Sequence, residues 1–106
     1  MCGIVAQYSL TNRKPESSLI KKMAKDIHHR GPDDEGYFYG DWFNLGFKRL
    51  SILDLSKAGH QPMLDESKSF VLIFNGEIYN YKALRAILLV KGYSFFSNSD
   101  TEVVLK

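Results

Sequence analysis

The sequence contains one cysteine, and a single cysteine excludes an internal disulfide. An excess of charge of one sign is also lacking: 14 basic and 12 acidic residues give a net charge of +2, which does not by itself indicate nucleic acid or an anionic membrane as a partner. No stretch approaches the ~20 apolar residues of a membrane span. The segment after Met1 has neither the basic start nor the long apolar run of a signal peptide. We therefore expect a cytoplasmic protein that binds neither nucleic acid nor a membrane.

Two common kinds of ligand site are missing from the sequence as well. Neither of the glycine-rich patterns that hold nucleotide phosphates occurs: GxGxxG is absent, and so is GxxxxGK followed by Ser or Thr. The three histidines, His28, His29 and His60, do not have zinc-ligand spacing with the cysteine. We therefore expect no metal and no cofactor in this segment.

The apolar pattern predicts one domain, or part of one, built from strands and helices. A hydrophobic content of 44% is ordinary for a globular chain of 106 residues. The first strand is apolar on both faces, which is typical of a central strand, and the run 69–75 should be buried on both faces. We predict strands over 2–10, 36–40, 42–50 (with 52–55 as an extension), 69–75 and 93–97, a loop over 56–63, and helices over 15–30, over 80–91 and from 99 onward.

The last predicted helix has barely one turn before Lys106. A helix of that length is marginal on its own. We therefore expect residues 1–106 to be the N-terminal part of a truncated domain. Apolar strands such as 70–74 would then lack neighbours, and we expect the isolated chain to be poorly soluble.

Cys2 is a candidate nucleophile because only Met1 precedes it. Removal of Met1 would leave one residue with both a thiol and a free α-amine. Free α-amines titrate near neutral pH, so the neutral amine can accept the proton of a thiol, and such a nucleophile needs no histidine. Alternatively, a lone cysteine at the head of an apolar strand is a buried, inert thiol.

Five positions beyond Cys2 could serve an amide hydrolase, and each has a simpler alternative. Asn75 and Gly76 can direct a side-chain amide and a backbone N–H at a developing oxyanion, or they form an ordinary turn. Arg49 can bind a carboxylate in bidentate fashion, or it lies on the surface. Asp100 can bind a substrate ammonium group, or it caps a helix. Glu77 is a second such partner or a solvated loop carboxylate.

Six short motifs occur in order along nearly the whole chain. They are Met1-Cys2-Gly3-Ile4, His29-Arg30-Gly31-Pro32-Asp33, Arg49-Leu50-Ser51-Ile52, Gly59-His60-Gln61-Pro62, Phe74-Asn75-Gly76-Glu77-Ile78-Tyr79-Asn80-Tyr81 and Ser99-Asp100-Thr101-Glu102. Together they are far more specific than any one of them. With these motifs the chain resembles the class II glutamine amidotransferases, and most closely the N-terminal glutaminase domain of glutamine-hydrolysing asparagine synthetases.

The resemblance implies an α+β fold of the N-terminal-nucleophile (Ntn) hydrolase type. This fold is a four-layer α/β/β/α sandwich with antiparallel sheets, and the chain would supply its N-terminal half. The resemblance further implies that Cys2 Sγ attacks the side-chain amide carbon of L-glutamine, with its own α-amine assisting proton transfer. Ammonia would leave, and water would resolve a γ-glutamyl thioester.

The resemblance also assigns individual residues to glutamine. Asn75, through its side chain, and Gly76, through its backbone, match the oxyanion hole. Arg49 matches the residue that binds the α-carboxylate, and Glu77 and Asp100 match the acidic residues around the α-amino group. The main chain of four residues would line the pocket, namely Leu50, Ser51, Ile52 and Leu53.

In the full-length enzyme, the resemblance implies a covalently linked C-terminal synthetase domain that uses the ammonia, with ATP and Mg²⁺, to make asparagine from aspartate. A homodimer of that enzyme is a further expectation, as is inactivity of the segment alone. Phe47 stands where family members often carry a small residue or histidine, and we interpret it as a packing variation. Two alternatives stay open: a non-catalytic glutamine-binding or structural module, and a class II amidotransferase with another acceptor, such as a sugar of a surface polysaccharide.

Overall fold

A computed structural model describes residues 1–51 and 57–106 of the chain. Over these residues five strands, three helices and two short 3-10 turns alternate, and no helix among them is long and apolar enough to cross a membrane. The turns are His28–Arg30 and Lys57–Gly59. The elements are β1 (Gly3–Tyr8), α1 (Ser17–Asp26), β2 (Asp34–Tyr39), β3 (Phe43–Arg49), β4 (Met63–Leu64), β5 (Val71–Leu72), α2 (Tyr81–Val90) and α3 (Asp100–Leu105).

The larger sheet contains three antiparallel strands in the order β1-β3-β2. Its central strand, β3, is buried over its last four residues because β1 and β2 flank it and α1 contacts it. The register places Gly3 opposite Lys48 and Asp34 opposite Arg49. This register brings the N-terminus of the chain beside the C-terminal end of β3.

Helix α1 covers one face of the larger sheet. Ile20 and Ala24, which are four positions apart and therefore on one side of the helix, are fully buried, and the helix contacts β1 and β3. On β1 every second residue, Ile4, Ala6 and Tyr8, is exposed. The helix and the sheet thus form one α layer on one β layer, with the core between them.

The remaining elements form a second group. Strands β4 and β5 pair as a short antiparallel ladder, α3 contacts β4, and α2 contacts α3. Ser99 caps α3, since its Oγ accepts a hydrogen bond from the N–H of Thr101 at 3.1 Å. The fold is α+β with antiparallel sheets, as expected, and is consistent with the N-terminal half of an Ntn-type sandwich.

The first three strands and all three helices confirm the sequence prediction, with two adjustments. The first strand lies at the edge of its sheet rather than at the centre, because β3 pairs with both of its neighbours. The first helix ends at Asp26, and the residues His28–Arg30 form a separate 3-10 turn. The predicted extension over 52–55 lies outside the described residues.

The strand prediction for 69–75 is wrong in part, and the strand prediction for 93–97 is wrong. Of 69–75, two residues form β5, and Phe70 is 68% exposed. An apolar strand becomes buried on both faces only when layers cover both of its sides. Residues 93–97 form no strand; the N–H groups of Phe96 and Ser97 donate instead to the carboxylate of Glu102, which satisfies them locally.

Candidate active site

A pocket of about 440 Å³ lies where the N-terminus, the end of β3 and the start of α3 meet. Its volume is within the range that binds small molecules. Seven of the ten residues that the sequence assigned to glutamine line it, namely Cys2, Arg49, Leu50, Asn75, Gly76, Glu77 and Asp100. Ser51 is not among the described lining residues, and its N–H donates to Asp33 Oδ2 at 2.8 Å. Ile52 and Leu53 lie outside the described residues.

The sheet register positions Cys2. Because Gly3 pairs with Lys48, the side chain of Cys2 reaches the residue that follows β3. The N–H of Leu50 donates to Cys2 Sγ at 3.3 Å, and the Sγ lies 3.5 Å from the carbonyl oxygen of Leu50. The Nε of Arg30 donates to the carbonyl oxygen of Cys2 at 3.3 Å. Cys2 is half-buried and lines the pocket; Leu50 contacts its thiol, and Arg30 holds its backbone carbonyl.

Arg49 and Asp100 place charges of opposite sign on the wall of the pocket. Arg49 is 8% exposed and Asp100 is 7% exposed. The guanidinium of Arg49 lies against Gly59, where an added Cβ would stand 2.4 Å from Nη2. Oδ2 of Asp100 accepts the N–H of Ile78 at 2.9 Å. Because a cation and a carboxylate both line the pocket, this wall is complementary in charge to a ligand that carries both a carboxylate and an ammonium group.

Two of the simpler alternatives for these charges are wrong. Arg49 does not lie on the surface, because β3 is the central strand and buries it. Asp100 does not cap α3, because the capping residue is Ser99 and Asp100 begins the helix. Both charged residues line the pocket.

Lys48, the basic residue that precedes Arg49 on β3, interacts with a different partner. Its Nζ is buried and donates to Oε2 of Glu35 on β2 at 2.5 Å. This hydrogen bond holds the pKa of Glu35 below its ordinary value of 4.5. Successive residues of a strand point to opposite faces, and Lys48 is accordingly absent from the pocket lining whereas Arg49 is part of it.

Comparison with known proteins agrees with this geometry. The family model of the glutamine amidotransferase domain matches residues 1–106. The chain belongs to this family. Across the residues that the structure describes, no three His, Cys, Asp or Glu side chains lie close enough together to hold a metal ion.

The amidotransferase domain is similar to glutamine-hydrolysing asparagine synthetases of distant organisms. It is 47% identical to asparagine synthetase 1 of Bacillus subtilis, 41% to asparagine synthetase 3 of Arabidopsis thaliana and 39% to asparagine synthetase B of Escherichia coli. These matches cover 98% to 99% of the chain. The chain spans 17% to 19% of the length of these three relatives.

Several residues of the amidotransferase pocket received no role from the sequence. Phe47 and Phe74 add apolar surface to it, and Gln61 and Thr101 add polar groups. Gln61, Phe74 and Thr101 each belong to one of the six motifs, and that membership is the signal that could have identified them. Phe47 lies outside the motifs, and a pattern of alternation does not show which side of a strand will face a cavity.

Glu102 is a further residue whose role the sequence indicated only in part. Ser99 and Glu102 have the spacing of a capping box; Ser99 does cap α3, but its Oγ accepts the N–H of Thr101 and not that of Glu102. The carboxylate of the fully buried Glu102 instead accepts the N–H groups of Phe96 and Ser97, at 2.9 and 2.8 Å. It thereby holds the turn that leads into α3, and with it the position of Asp100.

Proposed function

We propose that this domain hydrolyses the side-chain amide of L-glutamine through Cys2. In the full-length protein the ammonia would serve ATP-dependent synthesis of asparagine from aspartate. The observation that carries the proposal is the pocket, which brings the single cysteine of the chain together with a buried cation and a buried carboxylate. An amide hydrolase for an amino acid needs these groups side by side.

In the proposed complex, Arg49 binds the α-carboxylate of glutamine with its guanidinium. The carboxylate of Asp100 binds the positively charged α-ammonium group. Glu77 adds a second carboxylate at the exposed rim of the pocket. Leu50 lines the cleft beside Cys2. Fixing both ends of the amino acid directs its side-chain amide toward Cys2, and such positioning lowers the entropic part of the barrier.

The proposed chemistry begins at Cys2 after Met1 is removed. The free α-amine of Cys2 accepts the thiol proton, and Sγ bonds to the amide carbon of glutamine. The negative charge that develops on the amide oxygen is stabilised by the side-chain amide of Asn75 and the backbone N–H of Gly76. The amine returns the proton to the leaving nitrogen, the C–N bond breaks, and ammonia departs from a γ-glutamyl thioester.

Water completes the proposed cycle. It adds to the thioester carbon while the α-amine takes its proton, and collapse of the adduct breaks the C–S bond. The proton returns to the sulfur, and glutamate leaves. No oxidant, reductant or metal is needed for this balance.

The ammonia acceptor is proposed from the names of the three relatives reported above, each of which is an asparagine synthetase. We place aspartate, ATP and Mg²⁺ in a covalently linked synthetase domain, because the chain spans only 17% to 19% of the length of these relatives. A cytoplasmic location and a homodimer of the full-length protein complete the proposal.

The experiment that tests the proposal measures intact mass and glutamine turnover of the full-length protein. Loss of Met1 and one protein adduct with a diazo-ketone analogue of glutamine are expected, mapping to Cys2 and prevented by excess glutamine. Cys2→Ala should abolish glutamate release from glutamine and leave the fold intact. A tag fused before Met1 should have nearly the same effect, and the same tag at the C-terminus is the matched control.

Three results would overturn the proposal. These are retained glutamine hydrolysis in Cys2→Ala, full activity with a blocked N-terminus, and an analogue adduct that glutamine does not prevent. Glutamine binding measured by calorimetry, with no ammonia release, would indicate the non-catalytic binding module instead. If the released ammonia is transferred to an acceptor other than aspartate, the glutaminase part of the proposal stands and the asparagine synthesis part is wrong.

A further inference from the structure

We propose that Gln61 is a positioning residue that holds the oxyanion-binding segment of the pocket. The segment consists of residues 75–77, which follow Phe74. Gln61 is 6% exposed, and its side chain makes two hydrogen bonds with Phe74 and one with Thr101. The inference rests on the proposed function, and no role in the chemistry itself is assigned to Gln61.

The hydrogen bonds fix the orientation of the Gln61 amide. The N–H of Phe74, which can only donate, lies 2.6 Å from Oε1. The carbonyl oxygen of Phe74, which can only accept, lies 3.3 Å from Nε2. Exchanging Oε1 and Nε2 would place donor against donor and acceptor against acceptor. Gln61 therefore pairs with both backbone groups of Phe74, as a neighbouring strand would.

The sheet register explains why a side chain takes this place. β4 and β5 pair Leu64 with Val71 and Met63 with Leu72. If this antiparallel register is extended by two residues beyond Met63 and Leu72, Gln61 stands opposite Phe74. The intervening Pro62 has no N–H to donate, so the backbone ladder cannot continue there. The amide of Gln61 extends the pairing by side chain, up to the residue before Asn75.

A second anchor fixes the other end of the segment. The N–H of Ile78 donates to Oδ2 of Asp100 at 2.9 Å. The segment 75–77 thus lies between two tied backbone positions, Phe74 and Ile78, although its own residues are exposed. Oxyanion donors stabilise a transition state only when they are held in position before the reaction, and these two anchors supply that constraint.

The third hydrogen bond of Gln61 links the two sides of the pocket. Nε2 also donates to Oγ1 of Thr101 at 3.2 Å, in α3 directly after Asp100. The backbone carbonyl of Gln61 lies against Gly36 of β2, where an added Cβ would stand 2.0 Å from it. Gln61 therefore connects the larger sheet, the segment 75–77 and the helix that carries Asp100.

This arrangement predicts a loss of turnover with little loss of substrate binding. Gln61→Met keeps the length of the side chain and removes every hydrogen bond to Phe74 and Thr101. We expect kcat for glutamine hydrolysis to fall about 10-fold and KM to change less than about 2-fold, because Arg49 is untouched. Gln61→Glu keeps an acceptor for the N–H of Phe74 but sets an oxygen against its carbonyl, so kcat should fall at least as far.

The experiment compares these variants with a matched control in the full-length protein. Asn44 has another buried side-chain amide, which donates to Gln7 Oε1 and to the carbonyl oxygen of Pro15 at the far end of β3. Asn44→Leu should lower the thermal stability without changing kcat of the folded fraction. Iodoacetamide, which needs no oxyanion hole, should alkylate Cys2 at the same rate in all variants.

Hydrogen exchange gives a readout that does not depend on turnover. In Gln61→Met the amides of 74–78 should exchange faster, and those of β3 should not. If wild-type protein does not hydrolyse glutamine, the proposed function fails and this exchange experiment still decides the role of Gln61. Unchanged hydrogen exchange in 74–78 of Gln61→Met would overturn the positioning role. An equal loss of kcat in Gln61→Met and in an equally destabilised Asn44→Leu would overturn it too.

Discussion

A substitution at Gly59 can distinguish the proposed binding of glutamine from the chemical step. An added Cβ would stand 2.4 Å from Nη2 and 3.0 Å from Cζ of Arg49, so the guanidinium would have to move. Because bidentate binding of a carboxylate depends on the placement of the guanidinium, we expect Gly59→Ala to raise KM for glutamine about 10-fold. The kcat should change little, since Cys2 and the segment 75–77 are not displaced. Steady-state kinetics of the full-length protein measure both parameters.

The matched control for Gly59 lies in the same 3-10 turn. Lys57 is exposed, and Lys57→Ala should leave KM unchanged. An unchanged KM in Gly59→Ala would show that Arg49 does not bind the substrate carboxylate in its present position. A fall in kcat without a rise in KM would point instead to distortion of the end of β3.

At the scale of elements, the pair Glu35 and Lys48 joins β2 to β3 on the side of the sheet away from the pocket. The hydrogen bond from Lys48 lowers the pKa of Glu35 below its ordinary value of 4.5 in the folded state. The pair therefore stabilises the fold fully above the unfolded value, and this contribution is lost as the pH falls through the lower folded value. Glu35→Gln removes this pair and should reduce the free energy of unfolding at neutral pH. The reduction should be only about 1 kcal/mol, because Glu35 is half-exposed and water screens its charge.

Urea unfolding at neutral pH and in acid tests this difference. The gap between wild type and Glu35→Gln should be present at neutral pH and disappear in acid, where Glu35 is protonated in both states. Asp41→Asn is the matched control, because its pair with Lys14 spans 3.7 Å and Asp41 is 86% exposed. A gap that persists in acid would attribute the stabilisation to packing and not to the charge of Glu35.

At the scale of the whole molecule, apolar surface is left uncovered. Helix α2 contains no buried residue although Ile87, Leu89 and Val90 are all apolar, and Val90 is 91% exposed. The radius of gyration is 14.7 Å, above the roughly 13 Å of a compact chain of this length. We therefore expect the isolated chain of residues 1–106 to self-associate through this surface.

Sedimentation velocity at several concentrations measures the association. The isolated wild-type chain should show a mass that rises with concentration, and Ile87→Lys combined with Val90→Lys should reduce it. Lysine is a good helix former, so α2 should persist in this variant. A monomer with a sharp cooperative unfolding transition would contradict the prediction.

Local pattern was enough to predict most elements and to select the candidate residues. The helical stripe of α1 and α2, the turn between β2 and β3, and the cap at Ser99 all depend on neighbours within a few residues. The family followed from six motifs, whose order can be read from the sequence without knowledge of the fold. Candidate roles for Cys2 and for Asn75 followed from residue type and position in the chain, and these roles stay predictions.

The sequence by itself determined the family, the types of element and the set of reactive side chains. Only the tertiary structure decided which of them meet, since Cys2 approaches Leu50 through the pairing of β1 with β3 and not through any nearness in the chain. It also decided that 69–75 is only briefly a strand and that Gln61 holds Phe74. Burial and long-range hydrogen bonds depend on which layers cover an element, and periodicity within one segment carries no information about those layers.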